Sequence, residues 1–135
     1  MGPQINWKSL EEHAWAARER AYAPYSKFAV GAAVLADSGE IFTGCNVENV
    51  SFGLTICAER VAVSTAVQEG CRQFTGLAVV ADTEVPVIPC GACRQFLAEF
   101  NPALAVSCVG RGGVHHTWSL SVLLPSPFDR IVNAS

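Results

Sequence analysis

Two short stretches carry the side chains best suited to chemistry: TICAERVAV at residues 55–63 and PCGACRQF at 89–96. Cys90 and Cys93 are three apart, so at a helix start both sulfurs fall on one side, as a tetrahedral metal requires. Cys57 stands where a second apolar helix begins. If those helices lie side by side against a sheet, three thiolates converge from two N-termini and a fourth position stays open. Three protein ligands with one exchangeable site mark catalytic zinc, whereas structural zinc usually has four protein ligands. Cys45 and Cys108 fall in strand-like stretches and Cys71 follows the far end of the Cys57 helix, so all three read as buried packing residues.

Glu59 lies two residues after Cys57. In a lone C-x-E it is the ordinary first-turn Glu that answers the helix dipole. Beside P-C-x-x-C it reads as a general acid/base, able to take a proton from a metal-bound water and return it to a leaving group. Three thiolates on Zn(II) leave a negative site, which holds the water's pKa above the value near 7 reached by neutral His sites. The two helix N-termini and Arg60, which can donate to the sulfurs, offset that charge. By spacing alone Arg60 fits a surface helix position equally well.

The elements that must position these groups follow from pattern. Ser9 with Glu12 makes a capping box, and Leu10, Ala14, Ala17 and Ala21 continue a helix that Pro24 stops. FAVGAAVLA and EIFTGCNV read as a hairpin turned at Asp37-Ser38-Gly39. A helix over 57–69 stops at Gly70, GLAVVAD is a strand covered on both faces, and a third helix runs from about Gly91 toward Phe100. ALAVSCV is a further strand, and RGGVHHTWSLSVLLPSPF holds a turn, a short strand and a final helical turn, with His115 and His116 in a solvated loop. Alternating strands and helices predict an α/β layer fold over residues 1–135: a mostly parallel sheet with an antiparallel first hairpin and helices on its faces.

Composition narrows the function. The 135 residues suit one domain, and 50% hydrophobic against 16% charged residues is apolar for that size, which points to contact with other subunits. Nine basic and 12 acidic residues, without a Lys/Arg run, make a nucleic acid polymer a poor partner. MGPQINWK has no leader pattern and the longest apolar run is too short for a bilayer, so the expectation is a cytoplasmic chain with no membrane partner. Six cysteines then point to thiols, metal or redox chemistry before disulfides, and the sequons at Asn49 and Asn133 carry no weight.

C-A-E followed by P-C-G-A-C is the Cys form of an established signature, that of zinc-dependent nucleobase deaminases. The chain resembles the small homotetrameric zinc-dependent cytidine deaminases, from APYSKFAVGAAVL through GCNVENVSFGLTICAERVA and PCGACRQF to LLPSPF. The resemblance implies a three-layer α/β/α fold with a five-stranded mixed sheet, and hydrolysis of cytidine and 2'-deoxycytidine to the uridines and ammonia. It implies one zinc ion per subunit on Cys57, Cys90 and Cys93, and Glu59 as the proton shuttle. It matches Asn46 and Glu48 to the residues that hold the ribose hydroxyls, Phe28 to an aromatic lying against the base, and Phe128 to a residue reaching a neighbouring subunit's pocket. The chain departs from the family pattern at Val50, Phe52 and Val122, where Ala, Tyr and Glu are usual, and GRGGVHHTW has no counterpart.

Other readings compete. A deaminase of a modified cytosine nucleoside, such as an N4-substituted cytidine or blasticidin S, would share the zinc core, although NVENVSFG resembles the cytidine class. A thiol redox module would use C-G-A-C but leave Cys57, Glu59 and NVEN idle. A structural zinc domain would need a fourth protein ligand, and a polynucleotide-editing enzyme would need basic, aromatic-interleaved loops that are absent from the sequence.

Overall fold

The structure is a computed structural model that describes residues 4–131, so the Asn133 sequon lies outside the described residues. In chain order the elements are α1 (Trp7–Arg18), β1 (Val30–Ala36), β2 (Ile41–Cys45), a 3-10 turn (Phe52–Leu54), α2 (Ala58–Gln68), β3 (Phe74–Ala81), α3 (Gly91–Ala98), β4 (Ala105–Val109), a second 3-10 turn (Arg111–Gly113), β5 (His115–Ser119) and α4 (Leu120–Leu123). The five strands form one mixed sheet in the order β2-β1-β3-β4-β5. Among its neighbours only β3 and β4 are parallel, which corrects the expectation of a mostly parallel sheet. The chain leaving β2 through α2 passes over β1, so β3 runs parallel to β2 but lies beside antiparallel β1.

Period-2 alternation splits β1 between two cores. Ala32, Val34 and Ala36 join Leu77, Val79, Val106 and Cys108 beneath α2 and α3, with Ala58, Ala62, Val63 and Leu97. Ala33, Ala78, Val80 and Val109 face the other way, against Leu10 and Ala14 of α1 with Trp7 and Trp15 at the edge. The result is the expected three-layer α/β/α arrangement. Two glycines set the interlayer distances. A Cβ on Gly31 would collide with the Ala14 carbonyl oxygen, and one on Gly44 with the Ala62 nitrogen and the Ala58 oxygen. Each helix therefore rests directly on strand backbone.

The start of α1 differs from the capping-box expectation. Asn6 is the N-cap, its Oδ1 accepting from the Ser9 N–H at 3.1 Å, so the helix begins before Ser9 can cap it. It also ends earlier, at Arg18, where N–H groups of Glu19, Arg20 and Ala21 bond three residues back and tighten the last turn. His115 and His116 are exposed as expected, but they lie in β5, paired with Val109 and Cys108, rather than in a loop. Cys108 is buried, while Cys45 and Cys71 are only half-buried. None of the described helices is long and apolar enough to cross a membrane.

Candidate metal centre

The centre lies beyond the C-terminal end of β3, where the chain returns into α3 and where α2 also begins. This is the edge of an α/β sheet at which helix N-termini converge and ligands bind. Cys57 and Cys90 occupy the N-cap positions of α2 and α3, both in extended backbone, and neither N-cap makes a side-chain hydrogen bond to its helix. A thiol is a poor cap compared with the Ser, Asp or Asn favoured there. What the position gives instead is the positive end of a helix, which lowers the cost of a thiolate. Cys93, one turn into α3, is fully buried and completes the group.

The three sulfurs all lie within 4.8 Å of one another, and the Cys57–Cys90 Sγ separation is 3.8 Å. Sulfurs at the corners of a tetrahedron with bonds of ~2.3 Å stand about 3.8 Å apart, so the trio fits zinc. It is the one such group of metal-binding side chains among the described residues, and Cys45, Cys71 and Cys108 take no part in it. The hydrogen bond from Cys93, with others from Arg60 and Cys90, lowers the Cys57 pKa to about 5 despite burial. Cys93 is pushed upward by that same shared bond, by burial and by the charge of Glu59.

Arg60 meets the sulfurs as the sequence suggested. Its Nη2 donates to Cys57 Sγ at 3.6 Å and to the Thr55 carbonyl at 3.3 Å, and the Cys57 bond further raises its pKa. Glu59, in the first turn of α2, is 4% exposed. Burial raises the pKa of its carboxyl, and the negative charge of Cys57 adds to the effect. Cys108 lies within the same field, its thiol pushed up to about 12 by burial first and Glu59 second.

Cys57, Glu59 and Cys90 open onto a cavity of about 250 Å³. Phe28, Val30, Val79, Val87 and Ile88 supply its apolar walls, and Ser26, Asn46, Glu48 and Thr55 its polar rim. An apolar cleft with a few converging polar groups is the form of a small-molecule site. Asn46 is tied to the start of β1: its Nδ2 donates to the Phe28 oxygen at 2.7 Å and its Oδ1 accepts from the Val30 N–H at 2.9 Å. Glu48 is latched to the preceding turn, accepting from the N–H groups of Tyr25 and Ser26 and from the Ser26 hydroxyl. Those bonds, with the hydroxyl first, hold its carboxyl below the usual range. Both residues thus shape the wall that Phe28 belongs to.

Of the expected site residues, Cys93 and Arg60 sit behind the cavity lining beside Cys57, and Phe128 lies away from the cavity altogether. Phe128 is 72% exposed and lies over α3, where its backbone meets the Gln95 side chain. Sequence reasoning missed Ser26, Thr55, Val87 and Ile88 as cavity-lining residues; only the proximity of Ser26 to Phe28, two residues on, could have hinted at one of them.

Residues 6–109 match the model of the cytidine and deoxycytidylate deaminase zinc-binding region. A cytidine deaminase of Sporosarcina psychrophila is 53% identical over 115 residues, covering 84% of this chain and 85% of that protein. The crystal structure of cytidine deaminase from Burkholderia pseudomallei superposes with a TM-score of 0.88 at 47% identity, over 92% of this chain and all of that one. That of the Mycobacterium tuberculosis cytidine deaminase gives a TM-score of 0.83 at 41% identity, over 94% and 100%. With its sulfurs spaced for zinc and its fold and sequence shared across nearly their whole length, the chain belongs to the zinc-binding cytidine and deoxycytidylate deaminase family.

Proposed function

We propose that the protein hydrolyses cytidine and 2'-deoxycytidine to uridine and 2'-deoxyuridine with release of ammonia. The observation that carries this is the buried Glu59 carboxyl beside three sulfurs at tetrahedral spacing, with Glu59, Cys57 and Cys90 lining an apolar cavity. Cys57, Cys90 and Cys93 would hold zinc, which would supply the Lewis acidity that makes water a nucleophile near neutral pH. Glu59 takes the proton that water gives up as it adds to C4 of the base and passes it to N3. The proton of the new C4 hydroxyl then travels through the same carboxyl to the amino nitrogen, the C4–N4 bond breaks as C4=O forms, and ammonia leaves. The raised pKa of Glu59 suits it to both halves of this exchange.

The remaining residues bind and orient. Phe28 lies along the cavity wall as a flat apolar surface for the base. Asn46 Nδ2 keeps a second hydrogen and Glu48 keeps lone pairs for the ribose hydroxyls, and a pocket built around such groups rejects a substrate that lacks them. Arg60 and the two helix starts balance the negative sulfurs. We read residues 1–135 as one domain that works as a cytoplasmic homotetramer, with Phe128 contributing to a neighbour's pocket. The exposure of Val50, Phe52 and Leu54 beside the cavity supports a subunit interface there.

Ammonia release from cytidine, deoxycytidine, an N4-substituted cytidine and blasticidin S, each with and without a zinc chelator, tests this directly. Chelator-sensitive turnover of the two plain nucleosides is expected. Turnover confined to a modified base would overturn the substrate assignment, and chelator-resistant turnover the metal assignment.

A further inference from the structure

The chain after α4 crosses back over α3, where Arg94 fastens the end of α4 and Gln95 holds the segment that follows. Arg94 Nη1 donates to the Leu123 carbonyl at 3.1 Å while its Nε donates to the Pro89 carbonyl at 2.8 Å, one residue before Cys90. Gln95 makes a reciprocal pair with one backbone unit: Nε2 donates to the Phe128 oxygen at 2.7 Å, and the Phe128 N–H donates to Oε1 at 3.0 Å. Among the described residues these two bonds are the only hydrogen bonds made by 125–131. The Phe128 ring is left 72% exposed. A fixed backbone beneath a free aromatic ring is a costly arrangement for a tail with no task, because the ordering entropy is not repaid by burial of the ring.

We infer that Gln95 is a positioning residue: it sets where Phe128 stands, and so ties the Phe128 contribution to a neighbouring pocket to the helix that carries Cys90 and Cys93. This rests on the proposed role of Phe128 in a shared site and deepens it. An amide suits the position because it offers one donor and one acceptor side by side, matching the C=O and N–H of a single residue. Neither a carboxylate nor an ammonium matches both. Since the tail hangs from the turn that follows the sulfurs, the neighbour's pocket receives Phe128 in register with the metal-bearing helix.

The test is a double-mutant cycle on the zinc-loaded enzyme with Gln95→Ala, Phe128→Ala and both, reading KM and kcat for cytidine, zinc content, and hydrogen exchange at the Phe128 amide. Gln95→Ala is expected to raise KM roughly 5- to 30-fold, the equivalent of one to two ordinary net hydrogen bonds, with kcat changed by less than about twofold. Zinc content stays constant, the Phe128 amide exchanges freely, and the double variant is no worse than Phe128→Ala alone. Gln95→Glu, which keeps the acceptor and loses the donor, falls between. If Phe128→Ala raises KM while Gln95→Ala does not, or if the two effects multiply, the positioning role of Gln95 is overturned. If Phe128→Ala itself leaves KM unchanged, the shared-pocket reading falls and this inference with it.

Discussion

The two faces of the sheet are built by the same device and finished differently. On one face α1 rests on Gly31, and on the other α2 rests on Gly44. Yet α1 opens with Asn6, whose side chain satisfies a first-turn N–H, while α2 and α3 open with cysteines that cap nothing. The α1 face follows the local rules for helix starts. The α2/α3 face breaks them twice within one small region, adds a buried carboxyl, and crowds three sulfurs together. Rules of local stability are given up where chemistry is done, on the face whose larger buried core beneath α2 and α3 can bear the loss.

The largest effect that tests this contrast is on turnover. Glu59→Gln, with zinc retained, is expected to lower kcat by at least roughly 10²-fold, because the amide cannot relay a proton. Full activity in that variant would remove Glu59 from the mechanism. The glycine pair sharpens the comparison next. Gly31→Ala and Gly44→Ala each force a Cβ into helix backbone, and each is expected to cost about 1–3 kcal/mol in denaturant unfolding. Only Gly44→Ala should also depress kcat, since the backbone it displaces belongs to the helix bearing Cys57 and Glu59. Equal losses of kcat in both would dissolve the division of labour.

Smaller still is the effect of the cap. Asn6→Ala should lower stability by about 1 kcal/mol and leave KM and kcat unchanged. The finest distinction lies in pH. The Ser26 and Tyr25 bonds hold the Glu48 carboxyl below the ordinary carboxylate range, so the latch stabilises the fold above that range and is lost as pH falls through the folded pKa. Urea midpoints of Glu48→Gln and the parent protein should therefore differ by a constant amount from pH 8 to about 5.5 and begin to converge only as the pH falls below the ordinary carboxylate range. A difference that grows on acidification would contradict the latch.

How much of this was legible in the sequence follows from which signals are local. The P-C-x-x-C spacing and the C-x-E pair declare their geometry within one helical turn, so Cys57, Cys90, Cys93 and Glu59 stood out and are found together. Arg60 is ambiguous by spacing, because whether its guanidinium turns to Cys57 or to solvent depends on packing that spacing does not report. Strand direction was misread because alternation of helix and strand does not reveal that β1 is interposed between β2 and β3. The start of α1 was misplaced because Asn6 and Ser9 are both competent caps and only the position of the first turn decides between them. The Glu48 latch and the Gln95–Phe128 pair join residues 22 to 33 apart, and no periodicity reports contacts of that kind.

Everything in the site depends on three sulfurs holding one metal ion and leaving a position for solvent. X-ray absorption at the zinc edge of the purified protein, with metal content measured on the same sample, addresses that most directly. The expected result is one zinc per chain, three sulfur neighbours at ~2.3 Å and one lighter neighbour. Four sulfur neighbours, or a protein free of zinc with a Cys90–Cys93 disulfide, would contradict the account.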